Sequence, residues 1–470
     1  METENDPKTG VPELKAAKKE KFRSGKRLRK QCPRKSHATL CTDNRPDTLD
    51  IHQQQTKNRI GLLLPIYYER MLESPFGYYR GAAAIMAADL SRCQSTGLHL
   101  QICGDCHLMN FGGFATPERK IIFDINDFDE TTTAPWEWDV KRLAASFVIA
   151  GCSKGFSRKS SKYAALAAVK SYKKHMRKYA GMSALQVWYA DINFSALVNA
   201  ESGGAIMKKF NRKRLEKAIE NTPHEREFEK LTHEIDGKIK IIDAPPLLFH
   251  VKDEHQATFF AQVEQAYENY LNTLSHDRQI LLNQYKIIDI AMKVVGVGSV
   301  GKWCGIILLM SDSGDPLFLQ FKEAHQSVLE PYTTACEFEN QGQRVVEGQK
   351  IMQSASDIFL GWTTGDTGRH YYIRQMRDAK ITPDLDAMDY NNFTAYAESC
   401  GWALAQAHAR TGEAATISGY IGKSDTFANA IAKFALAYRQ QNESDYNLLF
   451  KAVEDGTISA KPSSGNSFPS

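Results

Sequence analysis

Between Leu98 and Glu130 the chain sets short apolar strands around loops crowded with acid and amide side chains, which narrows the folds open to it. The first loop, Cys103-Gly104-Asp105-Cys106-His107-Leu108-Met109-Asn110, reads Asp-x-His-x-x-Asn. Seventeen residues beyond Asn110, Asp127 opens the phrase Asp127-Phe128-Asp129-Glu130 at a strand end. A polar turn capped by Asp or Asn explains one such side chain, but not a cluster held between apolar strands. Magnesium–nucleotide phosphotransfer needs this set: a carboxylate beside the attacking hydroxyl, an amide oxygen on the metal, and a further carboxylate on the metal. Asp105 and His107 are therefore candidate catalytic residues, and Asn110 and Asp127 candidate magnesium ligands. Asp124 and Asp129 are weaker candidates, as a second ligand or a turn residue.

The only glycine-rich phosphate loop lies far downstream, at Gly296-Val297-Gly298-Ser299-Val300-Gly301. A dinucleotide fold would place a helix directly after it, whereas a kinase-type loop joins two antiparallel strands over the nucleotide phosphates. The next residues, Lys302-Trp303-Cys304-Gly305-Ile306-Ile307-Leu308-Leu309, lack helical period, so a hairpin is expected. Gly296, Gly298, Ser299 and Gly301 are candidate nucleotide contacts. Lys322 ends the apolar strand Leu317–Phe321, where an inward lysine needs a partner. A kinase-type site uses such a lysine on phosphates and a glutamate of the next helix to aim it. Glu347 is assigned that role ahead of Glu337 and Glu339. An edge-strand lysine facing water is the competing explanation of Lys322.

Cys103-Gly104-Asp105-Cys106-His107 also matches Cys-x-x-Cys-His, a haem or zinc half-site pattern. No second Cys-x-x-Cys or His pair stands at zinc spacing, and no signal peptide supports haem attachment. Asp139, after Trp136 and Trp138, is expected either to brace the Asp105 loop or to cap a helix. Arg80, Arg142, Arg374 and Arg377 are available to substrate or phosphate, with helix-face salt bridges as the default.

The net charge of +4 is uneven: residues 1–40 hold 12 Lys/Arg against 5 Asp/Glu, leaving the rest at −3. Residues 1–55, basic and poor in apolar side chains, are expected to be a disordered tail, the one segment suited to nucleic acid. Residues 56–154 are expected to carry the catalytic loop, 155–290 to be a mainly helical connection, 291–385 a small antiparallel-sheet nucleotide unit, 386–457 C-terminal helices, and 458–470 a frayed end. The fold class is thus α+β. No apolar run reaches the ~18 residues of a membrane helix, so no membrane partner is expected. Nine scattered cysteines fit a reducing cytoplasm better than a disulfide framework.

From about Leu72 to Gly456 the chain resembles the bacterial family known as domain of unknown function 2252 (DUF2252). The phrases that carry this are Ser74-Pro75-Phe76 with Tyr79-Arg80-Gly81, Gly104 to Gly112, Asp127 to Glu130, Pro135 to Asp139, Gly296 to Gly301, Asn340 to Gln349 and Ala405 to Arg410. That family carries no assigned reaction. The motifs also resemble the aminoglycoside and choline phosphotransferase branch of the protein-kinase-like fold, whose Gly-Asp-x-His-x-x-Asn loop is matched at Gly104, Asp105, His107 and Asn110. Its magnesium Asp is matched by Asp127 and its nucleotide lysine by Lys322. The His that often precedes Gly-Asp there is Cys103 here, and the motif order is reversed. The resemblance implies a bilobal, circularly permuted kinase-like fold, in which Leu404-Ala405-Gln406-Ala407-His408 is the helix that ordinarily leads into the catalytic loop. It implies ATP and magnesium as cofactors and an unknown small-molecule or protein hydroxyl as acceptor. A nucleotide-binding pseudokinase and an AMP-transferring enzyme are the alternatives within that fold. An interaction or nucleic-acid-binding protein working through the basic tail is the alternative outside it.

Overall fold

The structure, a computed structural model, describes residues 10–195, 197, 228–251, 253–294, 296, 298, 300–376 and 380–458. It is mixed α and β. One part is helical and contains β1 (His99–Ile102), β2 (Phe111–Ala115), β3 (Ile121–Ile125) and β4 (Thr132–Pro135). Antiparallel pairing joins β1 to β4 and β2 to β3, so the Cys103–Asn110 loop and the Asn126–Thr131 loop leave the two pairs side by side. Helix Glu137–Ser153 comes after β4 and is buried continuously from Glu137 to Gly151. A helix buried on all sides must lie inside a bundle, its polar side chains Glu137, Asp139 and Arg142 each held by a partner, and this one is wrapped by helices Arg158–Gly181, Tyr390–Arg410 and Thr426–Glu454. Trp136 anchors the junction, its ring stacked on Tyr172 at 5.9 Å between centroids.

The other part begins after a short hairpin, β5 (Thr232–Ile235) and β6 (Lys238–Ile241). It is a six-stranded antiparallel sheet made of β7 (Leu248–Phe249), β8 (Tyr285–Lys293), β9 (Cys304–Ser311), β10 (Pro316–Glu323), β11 (Gly361–Thr364) and β12 (His370–Gln375), in the order β11-β12-β10-β9-β8-β7. Alternation along β10 decides which side chain goes where. Leu317, Leu319 and Phe321 enter the core beneath helix Asp253–Leu271, so Phe318, Gln320 and Lys322 take the opposite face. In register, Lys322 lies between Cys304 on β9 and Tyr372 on β12.

Several expectations are corrected. The basic tail is not disordered throughout: residues 10–31 form a helix, Gly10–Gln31, and Thr48–Thr56 another. The first crosses helix Ala414–Ile421 with the two backbones in contact. A Cβ on Gly25 would lie 1.9 Å from the Thr416 carbonyl oxygen, and one on Gly419 2.1 Å from that of Phe22. The tail's charge is also used structurally. Arg29 donates to the carbonyls of Gly419 (2.5 Å) and Tyr420 (2.8 Å), and Arg34 to that of Ile421 (2.7 Å), satisfying the orphan end of that helix. The sheet unit expected over 291–385 begins earlier, with β8 at Tyr285, and the last of the C-terminal helices runs unbroken over Thr426–Glu454. Of the frayed end expected over 458–470, Ile458 is buried and its N–H donates to Ala452 O (2.7 Å), and the rest lies outside the described residues, as does most of the stretch 196–227 in the connection.

Gly25→Val should lower stability by about 1–3 kcal/mol through overpacking. It should also raise hydrogen exchange across residues 16–31 selectively, as read by mass spectrometry. Unchanged exchange would mean that the helix does not dock this way.

Candidate functional site

The Asp105 loop is held from beneath by a buried carboxylate. The oxygens of Asp139 accept hydrogen bonds from Cys103 N (2.9 Å) and Gly104 N (3.0 Å), and His408 Nε2 lies 3.2 Å from the first of these oxygens. His408 is oriented in turn by the Tyr172 hydroxyl at its Nδ1, 2.9 Å away. Asp139 therefore braces the loop; it is not a helix cap. Gly104 is required here: its φ is +81°, and a Cβ would lie 2.2 Å from the Glu130 carbonyl oxygen. Cys103, Cys106 and Asp139 are within 4.8 Å of one another. Both Asp139 oxygens already accept loop N–H groups, and burial pushes the Cys103 thiol well up and that of Cys106 to about 11, against thiolate ligation.

Further bonds fix the loop's shape. Ser146 Oγ accepts from Leu108 N (3.1 Å), and the Tyr396 hydroxyl donates to Leu108 O (2.5 Å). Asn110 Nδ2 donates to Asp105 O (2.7 Å), which leaves its Oδ1 as the atom available to a metal. Asp105 is not a lone carboxylate: Arg142 donates to its Oδ1 through Nε (2.6 Å), with Nη2 in ion-pair contact with the same oxygen at 2.5 Å. Arg142 is itself placed by the Tyr79 ring, 4.4 Å from its guanidinium carbon, and by Tyr79 O. Burial raises the Asp105 carboxyl above its usual range although Arg142 and Arg80 oppose this. His107 stands with Nε2 3.7 Å from Asp105 Oδ2; burial, then Arg80 and Arg142, drive it well below the usual imidazole range, so it is neutral.

The Asp127–Thr131 loop is bound to the sheet part. Lys322 pairs with Asp129 Oδ2, and the Tyr372 hydroxyl donates to Asp129 Oδ1 (2.7 Å). Arg344, on helix Gln341–Met352, donates to the carbonyls of Thr131 (2.5 Å), Asp129 (2.9 Å) and His325 (2.8 Å). Glu347 is corrected: its partner is Lys350 at 3.6 Å, and the carboxylate on Lys322 is Asp129. The physical reason is helix phase. Arg344 and Gly348, four residues apart, share the face against the loop, with Gly348 so close that a Cβ would lie 2.4 Å from Thr131 Cγ2. Glu347 is one step off that face. Burial alone would raise the Asp129 carboxyl; the Lys322 ammonium, with Lys302 and the Tyr372 hydroxyl, outweighs it and holds the group below the usual carboxylate range.

A cavity of about 200 Å³ lies between the two parts. Asp105, His107, Asn110 and Asp127 line it from the helical part, and Gly296, Gly298 and Lys322 from the sheet part. Gly301 does not line it: its φ of +85° packs it beneath the Arg59 side chain, which also donates to Gly298 O (3.0 Å) and Val300 O. Ser299 lies outside the described residues, as does Arg377. Arg80 and Arg374 line the same cavity, Arg374 with 3.3 Å contacts to Gln320 Oε1 and its guanidinium 5.7 Å from the centre of the Tyr372 ring. A larger apolar cavity, about 390 Å³, lies behind the sheet against helix Asp253–Leu271 and contains none of these groups. Sequence reasoning misses Tyr372 and undervalues Asp129. Strand register alone sets Tyr372 beside Lys322, whereas the spacing of Asp129 to Asp127 is a readable signal.

The chain matches, over residues 59–452, the family described as "Uncharacterized protein conserved in bacteria (DUF2252)", and it belongs to that family. No curated protein and no solved structure matches it. No helix among the described residues is long and apolar enough to cross a membrane.

Asp139→Ala should cost about 3 kcal/mol or more, because it strands two buried N–H groups and a buried histidine; urea unfolding measures it. The depressed Asp129 has the opposite sign to a raised histidine. Its stabilisation is complete above the unfolded carboxylate value of about 4 and is lost as pH falls through and below it. The stability difference between wild type and Asp129→Asn should therefore narrow from about pH 5 down to pH 3 in urea titrations.

Proposed function

We propose that this DUF2252 member is an ATP- and magnesium-dependent phosphotransferase of protein-kinase-like build, circularly permuted, acting on a hydroxyl group. The observation that carries the reading is that Asp105, Asn110 and Asp127 line one cavity with Gly296, Gly298 and Lys322, although Gly296 comes 169 residues after Asp127. The sheet part supports it further: strand, glycine loop, strand, then a strand bearing Lys322 and a helix is the order a kinase-type nucleotide unit needs. His408, near the C-terminal end of helix Tyr390–Arg410, stands on the carboxylate that holds the loop's first residues, which supports a severed ancestral connection there.

In this reading the backbone of the glycine loop and Lys322 hold the nucleotide phosphates. Asn110 Oδ1 and Asp127 would hold magnesium, with Asp129 beside them, and the ion would neutralise charge on the transferring group. Asp105 Oδ2, the oxygen not engaged by Arg142, orients the acceptor hydroxyl and takes its proton. The hydroxyl oxygen bonds to the γ-phosphorus as the bond to the β,γ-bridging oxygen breaks and ADP leaves. Arg142 keeps the carboxylate aimed, and neutral His107 adds no competing positive charge.

Calorimetry with Mg·ATP should show binding to wild type and a loss of about tenfold or more in Lys322→Ala and Asp127→Ala. Absence of binding at millimolar nucleotide would end the reading. In a metabolite screen, Asp105→Ala should lower turnover by about 10²–10⁴ without weakening nucleotide binding. Release of ADP marks phosphate transfer, whereas release of pyrophosphate would mark AMP transfer.

A further inference from the structure

Arg80 sits on a fixed helix and, among the described residues, has no counter-ion in contact. It lies on helix Pro75–Gly81, which is capped by Ser74 Oγ on Gly77 N (3.0 Å), next to Tyr79, whose hydroxyl donates to Arg142 O (2.8 Å). It lines the cavity of Asp105 and Asp127, yet among the described residues no hydrogen bond or ion pair reaches its guanidinium, and its Nε is shielded from solvent. The default of a helix-face salt bridge therefore fails for this arginine, while Arg142 is fully engaged. Burial without a contacting carboxylate pulls Arg80 below its ordinary value. A half-buried guanidinium in that condition is a site for an anion, and its planar fork suits a carboxylate or phosphate.

Two anions are available in a phosphotransfer site, those of the nucleotide and those of the acceptor. Helix Pro75–Gly81 abuts the Asp105 loop: Phe76, four residues before Arg80, meets the His107 ring edge-on (6.4 Å between centroids), and Arg142 bridges Asp105 Oδ1 and Tyr79 O, whereas Lys322 is paired on the sheet part with Asp129. Arg80 thus stands beside the proposed base, and Lys322 beside the proposed phosphate grip. We propose that Arg80 binds an anionic group of the acceptor, and that the acceptor is a small alcohol bearing a carboxylate or phosphate. Cationic alcohols of the aminoglycoside or choline kind would bring a second positive charge against Arg80, so the motif resemblance to those enzymes does not extend to their substrates. This inference rests on the phosphotransferase reading, whose bond changes it leaves unaltered.

The test is calorimetry on the full chain in two stages. The first measures Mg·AMP-PNP, a non-hydrolysed ATP analogue, on wild type, Arg80→Gln and Arg80→Lys. No binding to wild type would overturn the phosphotransferase reading and this inference with it. The second titrates 3-phosphoglycerate, D-glycerate and glycerol 3-phosphate into protein saturated with Mg·AMP-PNP, with glycerol and choline as controls. At least one of the three anions should bind wild type, about tenfold or more weaker to Arg80→Gln. Arg80→Lys should recover part of the loss, glycerol and choline should not bind, and nucleotide affinity should stay unchanged in both variants. Binding of none of the anions, equal binding to Arg80→Gln, binding of choline in preference, or a loss confined to the nucleotide would each overturn the assignment of Arg80 with the phosphotransferase reading intact.

Discussion

A single buried carboxylate, Asp139, determines whether the Asp105 loop has a shape at all. It closes the end of β1 by accepting two successive backbone N–H groups, and it receives His408 from a helix near the other end of the chain. A loop turning through a positive-φ glycine with its N–H groups inside the protein has no water to satisfy them, so their partner must be built in. Everything on the loop then inherits its place from that carboxylate. Asn110 folds back onto Asp105, Arg142 reaches Asp105 from the same helix as Asp139, and Gly104 presses against the carbonyl of Glu130. The second loop is positioned differently, through Arg344 and Lys322 of the sheet part. The two halves of the site are thus fixed by two separate devices, one within each structural part.

Much of the site was legible because its chemistry is unusual for its surroundings. Acid and amide side chains among apolar strands, and a lysine at the end of an apolar strand, are costly features that a sequence retains only with partners. Asp105, Asn110, Asp127 and Lys322 stand out for this reason, and β9 and β10 are readable from their alternation. The partner of Lys322 was not legible. Glu347 is the one glutamate of that helix, with Glu337 and Glu339 just before it, and whether it meets Lys322 depends on the helix's rotation, which is set by the close approach of Gly348 to Thr131. The state of the arginines was equally hidden. Arg80 and Arg142 look alike in sequence, and only the folded arrangement gives Arg142 a carboxylate and, among the described residues, Arg80 none.

The N-terminal segment shows the opposite failure. Its composition argues against a core, and that argument counts side chains only. Helix Gly10–Gln31 docks instead through glycine, backbone contact and arginines on exposed carbonyls, with modest help from Phe22 and Leu28. Composition rules for disorder fail where charge is consumed locally by helix ends.

The bond between His408 and Asp139 spans 269 residues. During synthesis the acidic loops emerge early, but the histidine that completes their support arrives only after the intervening chain has been made. At about 5–20 residues per second that interval is on the order of ten seconds to a minute. A contact of such long range is also among the costlier ones to form, since the intervening loop must close first. The support of the Asp105 loop is therefore completed last, and a nascent chain exposes the carboxylates of both loops before their packing is in place.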